Sequence, residues 1–375
     1  MRVCILSMQR VQNFGSLLQS YALKRILEQL GHSVEFLDIK PCQEDNILLG
    51  DAKNVFTNEG ETSGTLLSKL KKIDNYTLNR LRIKYRSVLQ NKKFEQFRTE
   101  VLGIVEHNEG KRFDYCIIGS DEVFNCLSGA SWGFTSQLFG NVDCADSVIT
   151  YAASCGATAY ENVPEKVQTR IREACGRISA FSVRDDNTYS FVSQLTEKPI
   201  EKHLDPVLIH DFSNEINQAK LSDDLPSRYC IIYSYYNRFN EQRDIEQILE
   251  FCKENRLEPV TVGAPQKWIK NHLVLDPFVM LKVFQKAEFV ITDTFHGTIF
   301  AAKYAKRFAV LVRSSNRNKL LDLIKSLHLE RHLVPALIDL EKLDAYEVAS
   351  PGIKGILLTE REKTNKYLME FVKVQ

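Results

Sequence analysis

Apolar runs of strand length alternate with amphipathic stretches of helix length along this 375-residue chain. "RVCILS" leads through "VQNFG" into "SLLQSYALKRILEQLG", where Leu17, Leu18, Tyr21, Ala22, Ile26, Leu27 and Leu30 recur at helical spacing and Gly31 supplies the stop. "SVEFLDI" then reads as a strand, so the chain opens with a β-α-β unit. The pattern returns in "YCIIGSD", "SVITYAAS" and "AFSVRD". After "HLDPVLI" and the turn-rich "SDDLPSR" a second series begins: "YCIIYSY", the helical "EQRDIEQILEFCKENR", "EPVTVG", "FVMLKVFQKA", "EFVIT" and "RFAVLV". The economical reading is two successive α/β halves, each with a mostly parallel sheet. The divisions are placed at 1–210, 211–350 and a C-terminal helical segment, 351–375.

Charge narrows the partners. The formal net charge is +1 with 26% charged residues, which leaves no global basic field to recruit nucleic acid. One local cluster stands out, a basic helical insertion around residues 64–98. There Lys69, Lys71, Lys72, Arg80, Arg82, Lys84, Arg86, Lys92, Lys93 and Arg98 outnumber Asp74 and Glu95. Leu66, Leu67, Leu70, Ile73, Leu81, Tyr85, Val88 and Leu89 supply an apolar stripe beneath them. Two readings follow: a solvated face over a docked stripe, or a helix resting on an anionic membrane surface. The nine cysteines are scattered with no CxxC pair, which reads as reduced thiols in a cytosolic protein. "MRVCILSM" is too brief for a signal-peptide core, and no apolar stretch approaches the roughly 18 residues of a membrane span. The expectation is a cytoplasmic protein, peripheral at the inner membrane face if the basic helix meets lipid.

Glycine-bearing strand-to-helix turns are where chemistry is expected, because ligands of open α/β sheets gather at the carboxyl ends of the strands. Helix N-termini there carry unpaired N–H groups and partial positive charge. In "EFVITDTFHGTIFAA" the strand ends near Thr292, and Thr294, Phe295, His296, Gly297 and Thr298 form the turn. The N–H groups around Gly297 and Thr298 are expected to point at a bound anion, with His296 beside it. The alternative is a histidine that caps the helix or fills a crevice. Asn13, Gly15 and Ser16 open the first helix of the first half in the same way, as cleft residues or as plain caps. His203 and His210 flank "LDPVLI" at a spacing that fits no common metal site, and neither a metal nor a cofactor is predicted.

Seven strings in order extend this reading. "QNFGSLLQSYAL", "FDYCIIGSDEVFN", "TYAASCG", "FSVRDD", "HLDPVLI", "TDTFHGTIFAAKYAKRF" and "NRNKLLDLIKSLHLERH" resemble the polysaccharide pyruvyl transferase family over about Val11 to His332. The resemblance implies two Rossmann-like domains facing a cleft, of the glycosyltransferase B type. It also implies phosphoenolpyruvate as donor and a hydroxyl pair of a saccharide, lipid-linked or free, as acceptor. Glu122 departs from the family's common glutamine, and Phe124 from its frequent tryptophan.

The implied chemistry needs an acid and cations. Protonating the methylene carbon of the donor creates an oxocarbenium-like centre that a sugar hydroxyl attacks. An imidazole titrates ordinarily near 6.5, so His296 is the candidate acid. Arg184 in "SVRD" is the candidate bidentate partner for the donor's carboxylate or phosphate; its alternative is an ion pair with Asp185 or Asp186. Arg317, and less well Arg313, offers a second reach toward phosphate. Asp121 can accept a proton from the attacking hydroxyl with Glu122 beside it, or cap a helix. Asp205, before a proline, reads as structural. A sugar-nucleotide-dependent glycosyltransferase and a non-catalytic glycan-binding protein are the alternatives.

Overall fold

The structure is a computed structural model that describes residues 1–50, 73–104, 110–222, 225–313, 316–335, 337, 340 and 350–372, with the backbone alone at 73–80 and 350–351. Its first sheet has six strands: β1 (Arg2–Leu6), β2 (Ser33–Leu37), β3 (Phe113–Ile118), β4 (Ala145–Thr150), β5 (Ile178–Val183) and β6 (Ile200–Lys202). They lie in the order β2-β1-β3-β4-β5-β6, and every pairing is parallel. The second sheet holds β7 (Tyr229–Tyr233), β8 (Glu258–Val262), β9 (Asn271–Leu273), β10 (Phe289–Thr292) and β11 (Phe308–Val310), in the order β11-β10-β7-β8-β9 and again all parallel. Parallel sheets are covered on both faces, which is why strands such as "YCIIY" and "FVIT" are apolar runs with every residue buried.

Helices α1 (Phe14–Gln29), α2 (Gln43–Leu48), α3 (Ile73–Gln96), α4 (Glu165–Cys175), α5 (Asp186–Val192), α6 (Pro206–Ile209) and α7 (Ser213–Gln218) belong to the first series. The second series adds α8 (Gln242–Glu254), α9 (Pro277–Lys286), α10 (Phe295–Tyr304), α11 (Arg317–Ser326) and α12 (Ser350–Phe371). The first helix shows how sequence sets its limits. Asn13 accepts a hydrogen bond from the Ser16 N–H at its start, and Gly31 takes a left-handed φ of +86° just past its end.

Both sheets reverse their winding direction beside the cleft. In the first the switch lies between β1 and β3, in the second between β7 and β10. Crevices outside the carboxyl ends of strands at such points are where open α/β sheets bind ligands.

Three elements tie the halves together. One buried apolar cluster runs from Phe14, Leu17 and Leu18 of α1 through Val207 and Leu208 to Met280, Phe284, Ile299 and Phe300 of the second domain. The helix α12 returns to the first domain, where Tyr367 donates to the Thr150 carbonyl (2.9 Å) and Thr364 meets the Tyr151 hydroxyl (3.0 Å). The helix α3 reaches across the other way: Gln90 exchanges two hydrogen bonds with the Leu275 backbone (2.8 and 2.9 Å), and Phe94 packs edge-on against Phe14.

The basic helix departs from expectation. Leu81, Tyr85 and Val88 are not a docked stripe; they are 59%, 65% and 48% exposed, because α3 turns Gln90 and Phe94 inward instead. Leu66, Leu67, Leu70, Lys69, Lys71 and Lys72 lie outside the described residues. No described helix is long and apolar enough to cross a membrane. All nine cysteines are free.

Candidate active site

A cavity of about 620 Å³ opens between the two sheets. The first domain lines it with the segment after β1 (Asn13, Phe14, Ser16), the segment after β3 (Asp121, Glu122) and Arg184 after β5. The second lines it with Tyr233–Tyr236 after β7, Gly263–Pro265 after β8, Thr294–His296 after β10, and Lys319 of α11. Ser87, Gln90 and Asn91 of α3 form part of its wall.

Asp205 lies behind the lining and gathers two of its residues, Arg184 and His296. It caps α6, accepting from the Val207 N–H (3.0 Å), and its side chain is wholly buried. Its other oxygen accepts from Arg184 Nη1 (3.0 Å) and Ser120 Oγ (3.3 Å) and faces His296 Nε2 at 3.5 Å. Burial alone would raise this carboxyl; the facing His296 imidazole, the charge of Arg184 and the Val207 N–H outweigh it and hold the group down at about 2. On sequence alone Asp205 reads as structural. Its role comes from partners 21 and 91 positions away, and the available signal was only a helix-capping aspartate before proline.

Arg184 is buried and not part of a surface pair. Asp185 instead caps α5 by accepting from the Thr188 N–H (2.9 Å), and Asp186 pairs with Lys202. The guanidinium lies 4.1 Å from the centroid of the Phe295 ring, and its Nε is buried with no partner. Desolvation works against its charge, but Asp205, Asp121, Asp185 and Glu122 together raise its proton affinity. A permanently charged fork with a free N–H at the wall of a cavity is built for an oxyanion.

His296 is the second residue of α10, whose cap is Thr294: the threonine hydroxyl accepts from the Gly297 N–H (3.0 Å). The Thr298 N–H is taken by the Thr294 carbonyl (3.0 Å). The expectation that the amides of Gly297 and Thr298 face a ligand is therefore corrected. Those two residues build the cap beneath the cavity, and Phe295 and His296 carry the first-turn N–H groups without an intrahelical acceptor. Gly297 is needed for close approach, since a Cβ there would stand 2.1 Å from Thr292 Oγ1 and 2.7 Å from Tyr233. Across the cleft, a Cβ on Gly15 would stand 2.2 Å from His296 Nδ1, so the imidazole lies against the bare backbone of α1. At the far end of α10, Lys303 donates to the carbonyls of Val207 (2.6 Å) and His210 (2.7 Å), bonding the helix that carries His296 to the one that carries Asp205.

Asp121 caps no helix. It sits at a positive φ of +82°, where its carboxylate accepts from Ser16 Oγ (2.7 Å) and from the Glu122 N–H (3.0 Å). Asn13 both caps α1 and lines the cavity. Glu122 pairs with Lys319 across the cleft at 2.5 Å and accepts from Asn125 at 2.8 Å. Burial pushes its carboxyl up, but Lys319 and Asn125 outweigh that and hold it at about 2.

Arg317 does not join them. It opens α11 as an exposed residue outside the cavity lining, while Lys319, two residues on, faces in. Arg313 lies between Asp244 and Asp293, 3.5 Å from each, with its guanidinium over Phe239. His203 bonds to Ser182 (2.8 Å) and His210 to Glu215 (3.3 Å), and among the described residues no group of three or more His, Cys, Asp or Glu is placed to hold a metal ion.

The sequence pattern of the polysaccharide pyruvyl transferase family matches residues 13–315, which spans every cavity residue named above except Lys319. The chain belongs to the polysaccharide pyruvyl transferase family. Among curated proteins nothing matches it. Among solved structures it is similar to a UDP-GlcNAc 2-epimerase from Methanocaldococcus jannaschii in complex with UDP-GlcNAc and UDP, at 11% identity over 97% of this chain and 100% of that one, with a TM-score of 0.46. It is similar as well to the spinosyn rhamnosyltransferase SpnG (11% identity, 100% of both chains, TM-score 0.44) and to S. aureus MnaA with UDP (12% identity, 100% of this chain and 97% of that one, TM-score 0.41). The architecture of this pyruvyl transferase family member rests on its two sheets and not on those similarities.

Proposed function

We propose that the interdomain cavity takes phosphoenolpyruvate as donor and a hydroxyl pair of a saccharide as acceptor, and joins them as a pyruvate ketal. The observation that carries this reading is the convergence of Arg184 and His296 on one buried carboxylate, Asp205, at the meeting of two sheet switch points. A small anion that must be both held and protonated needs that pairing. Arg184 would take the donor's carboxylate or phosphate on its unpartnered edge. The first-turn amides of α10 add positive potential to the same place.

His296 then gives its proton to the methylene carbon, which becomes a methyl group as the neighbouring carbon turns electrophilic. A first sugar hydroxyl adds to that carbon, phosphate departs, and the second hydroxyl closes the ring; the two hydroxyl protons end on phosphate and on the acid. In the free protein His296 Nδ1 faces Gly15, and Nε2 stands 3.5 Å from Asp205, too far to be bonded. Delivery therefore requires the ring to turn into the cavity as the donor arrives, consistent with catalytic hydrogen bonds that tighten only in the complex. Asp121, fixed by Ser16, is the base for the attacking hydroxyl, with Asn13 and Glu122 on the acceptor side.

Such a reaction adds a carboxylate to a glycan and suits the making of cell-surface or exported polysaccharide. The exposed Leu81, Tyr85 and Val88 beside Arg82 and Lys84 support contact with an anionic membrane, where a lipid-linked acceptor is met. The test is phosphate release from phosphoenolpyruvate that depends on added saccharide, with the product's mass showing the ketal. Release of nucleotide from a sugar nucleotide instead would install the glycosyltransferase reading.

A further inference from the structure

Lys319 is the cavity cation that sequence reading did not single out, and its surroundings differ from those of Arg184. The lysine belongs to α11 of the second domain, whereas its partner Glu122 follows β3 of the first, so the 2.5 Å pair spans the cleft. Both line the cavity, and the lysine side chain is 13% exposed. The two partners are not equally free to move. Glu122 is gripped from its own domain by Asn125 (2.8 Å), and it lies so close to Gly156 that a Cβ there would stand 2.5 Å from its carboxylate. The lysine is a point charge on a flexible four-carbon stem with three rotatable donors. If the pair opens, the lysine is the member that swings.

The donor supplies a reason to open it. Phosphoenolpyruvate brings a carboxylate and a phosphate, and Arg184 already shares its charge with Asp205. One guanidinium so committed, even with the first-turn amides of α10, leaves a multiply charged anion short of a second cation.

We propose that Lys319 is a donor-binding residue held in reserve by Glu122, and that donor binding moves it from Glu122 to the phosphate, freeing the carboxylate for the acceptor. This rests on the reading of the cavity as a phosphoenolpyruvate site. A phosphate dianion outbids a single carboxylate for the ammonium group, and the flexible stem of the lysine carries the exchange. Losing Lys319 relieves the main influence that holds the Glu122 carboxyl low. The charges that still face it are Arg184, which favours its ionised form, and its neighbour Asp121, with Tyr235 beside the lysine. Glu122 then presents free lone pairs beside Asp121, where a saccharide hydroxyl must dock. The order of events follows: the donor enters first, and the acceptor site is completed by its arrival.

The experiment needs no knowledge of the acceptor. Binding of phosphoenolpyruvate, and separately of inorganic phosphate, is measured by calorimetry on the parent, Lys319→Met, Lys319→Arg and Glu122→Gln, each checked for an unchanged melting temperature; Lys319→Gln replaces the methionine variant if that one does not fold. Lys319→Met should weaken both anions at least tenfold, and Lys319→Arg should recover part of that loss. Glu122→Gln should act in the opposite direction, tightening phosphate several-fold because the competitor for Lys319 is gone while its size and its Asn125 contact remain. Loss of affinity in Glu122→Gln equal to that in Lys319→Met would make the pair a structural clasp and overturn the proposal. Unchanged binding in Lys319→Met would do the same. A folded parent that binds neither anion refutes the donor-site reading itself, a result distinct from a parent that binds normally beside an unaffected lysine variant.

Discussion

Adding one methyl group at Gly15 separates the catalytic from the structural account of His296. A Cβ there would stand 2.2 Å from Nδ1, 2.4 Å from Cγ and 2.8 Å from Cε1 of the imidazole. Ordinary contact between such atoms is about 3.5–4.0 Å, so the ring must retreat by about 1 Å or more. With Asp205 facing its Nε2 on one side and the cavity on the other, the ring retreats into the cavity and out of its place against α1. The backbone itself does not object, because Gly15 is helical, and alanine is a better helix former than glycine by about 1 kcal/mol. Overpacking costs about 1–3 kcal/mol, so Gly15→Ala should lose between nothing and about 2 kcal/mol of stability. Misplacing a reacting group by about 1 Å costs about 10²-fold in rate. Urea unfolding and saccharide-dependent phosphate release, run on the same preparation, should therefore show a modest change in the first and a large one in the second. In a His296→Ala background the same methyl should be neutral or stabilising, because the clash is gone. Parental turnover in Gly15→Ala would refute the reasoning and detach the ring's position from the chemistry.

His296→Gln should retain the fold and donor binding while kcat for saccharide-dependent phosphate release falls by about 10²–10⁴. Asp205→Asn should unfold about 3–5 kcal/mol more easily, since Arg184 is left buried without its counter-charge. With a folded-state value near 2 against an ordinary 3.8, the Asp205 carboxylate stabilises the parent fully above about pH 4, and that contribution is lost as pH falls toward 2; acid titration of stability should show this loss in the parent and not in Asp205→Asn. Replacing Arg82, Lys84, Lys92 and Lys93 by glutamine should weaken binding to phosphatidylserine vesicles at low salt by about 1 kcal/mol per charge, read by co-sedimentation. Binding that is absent in the parent, or unaltered by the replacement, removes that face from contact with lipid.

The order of elements was legible because parallel strands and their covering helices write different periods into the chain. "YCIIY" and "FVIT" are apolar throughout since both faces of each sheet are covered, and Gly31 and Asn13 mark the limits of α1 by capping chemistry that is local. That the His296 turn borders a cleft could also be read, from its place after a strand, and the family resemblance pointed to Arg184, which lines the same cavity. Pairing could not. Asp205 gathers residues from three distant segments, and no local pattern states that a capping aspartate will meet an arginine and a histidine. The preference for arginine as a phosphate ligand drew attention to Arg317, but helical phase turns that residue to solvent and Lys319 inward. Phase also misled at α3, where Leu81, Tyr85 and Val88 share a face as expected but the buried side belongs to Gln90 and Phe94.

Calorimetric titration of phosphoenolpyruvate into the parent protein and into Arg184→Met, beside a nucleotide sugar as competitor, tests the central claim most directly. The account predicts one phosphoenolpyruvate site in the parent, lost in the variant, and no displacement by the nucleotide sugar. No heat from phosphoenolpyruvate, together with saturable binding of the nucleotide sugar, would contradict it.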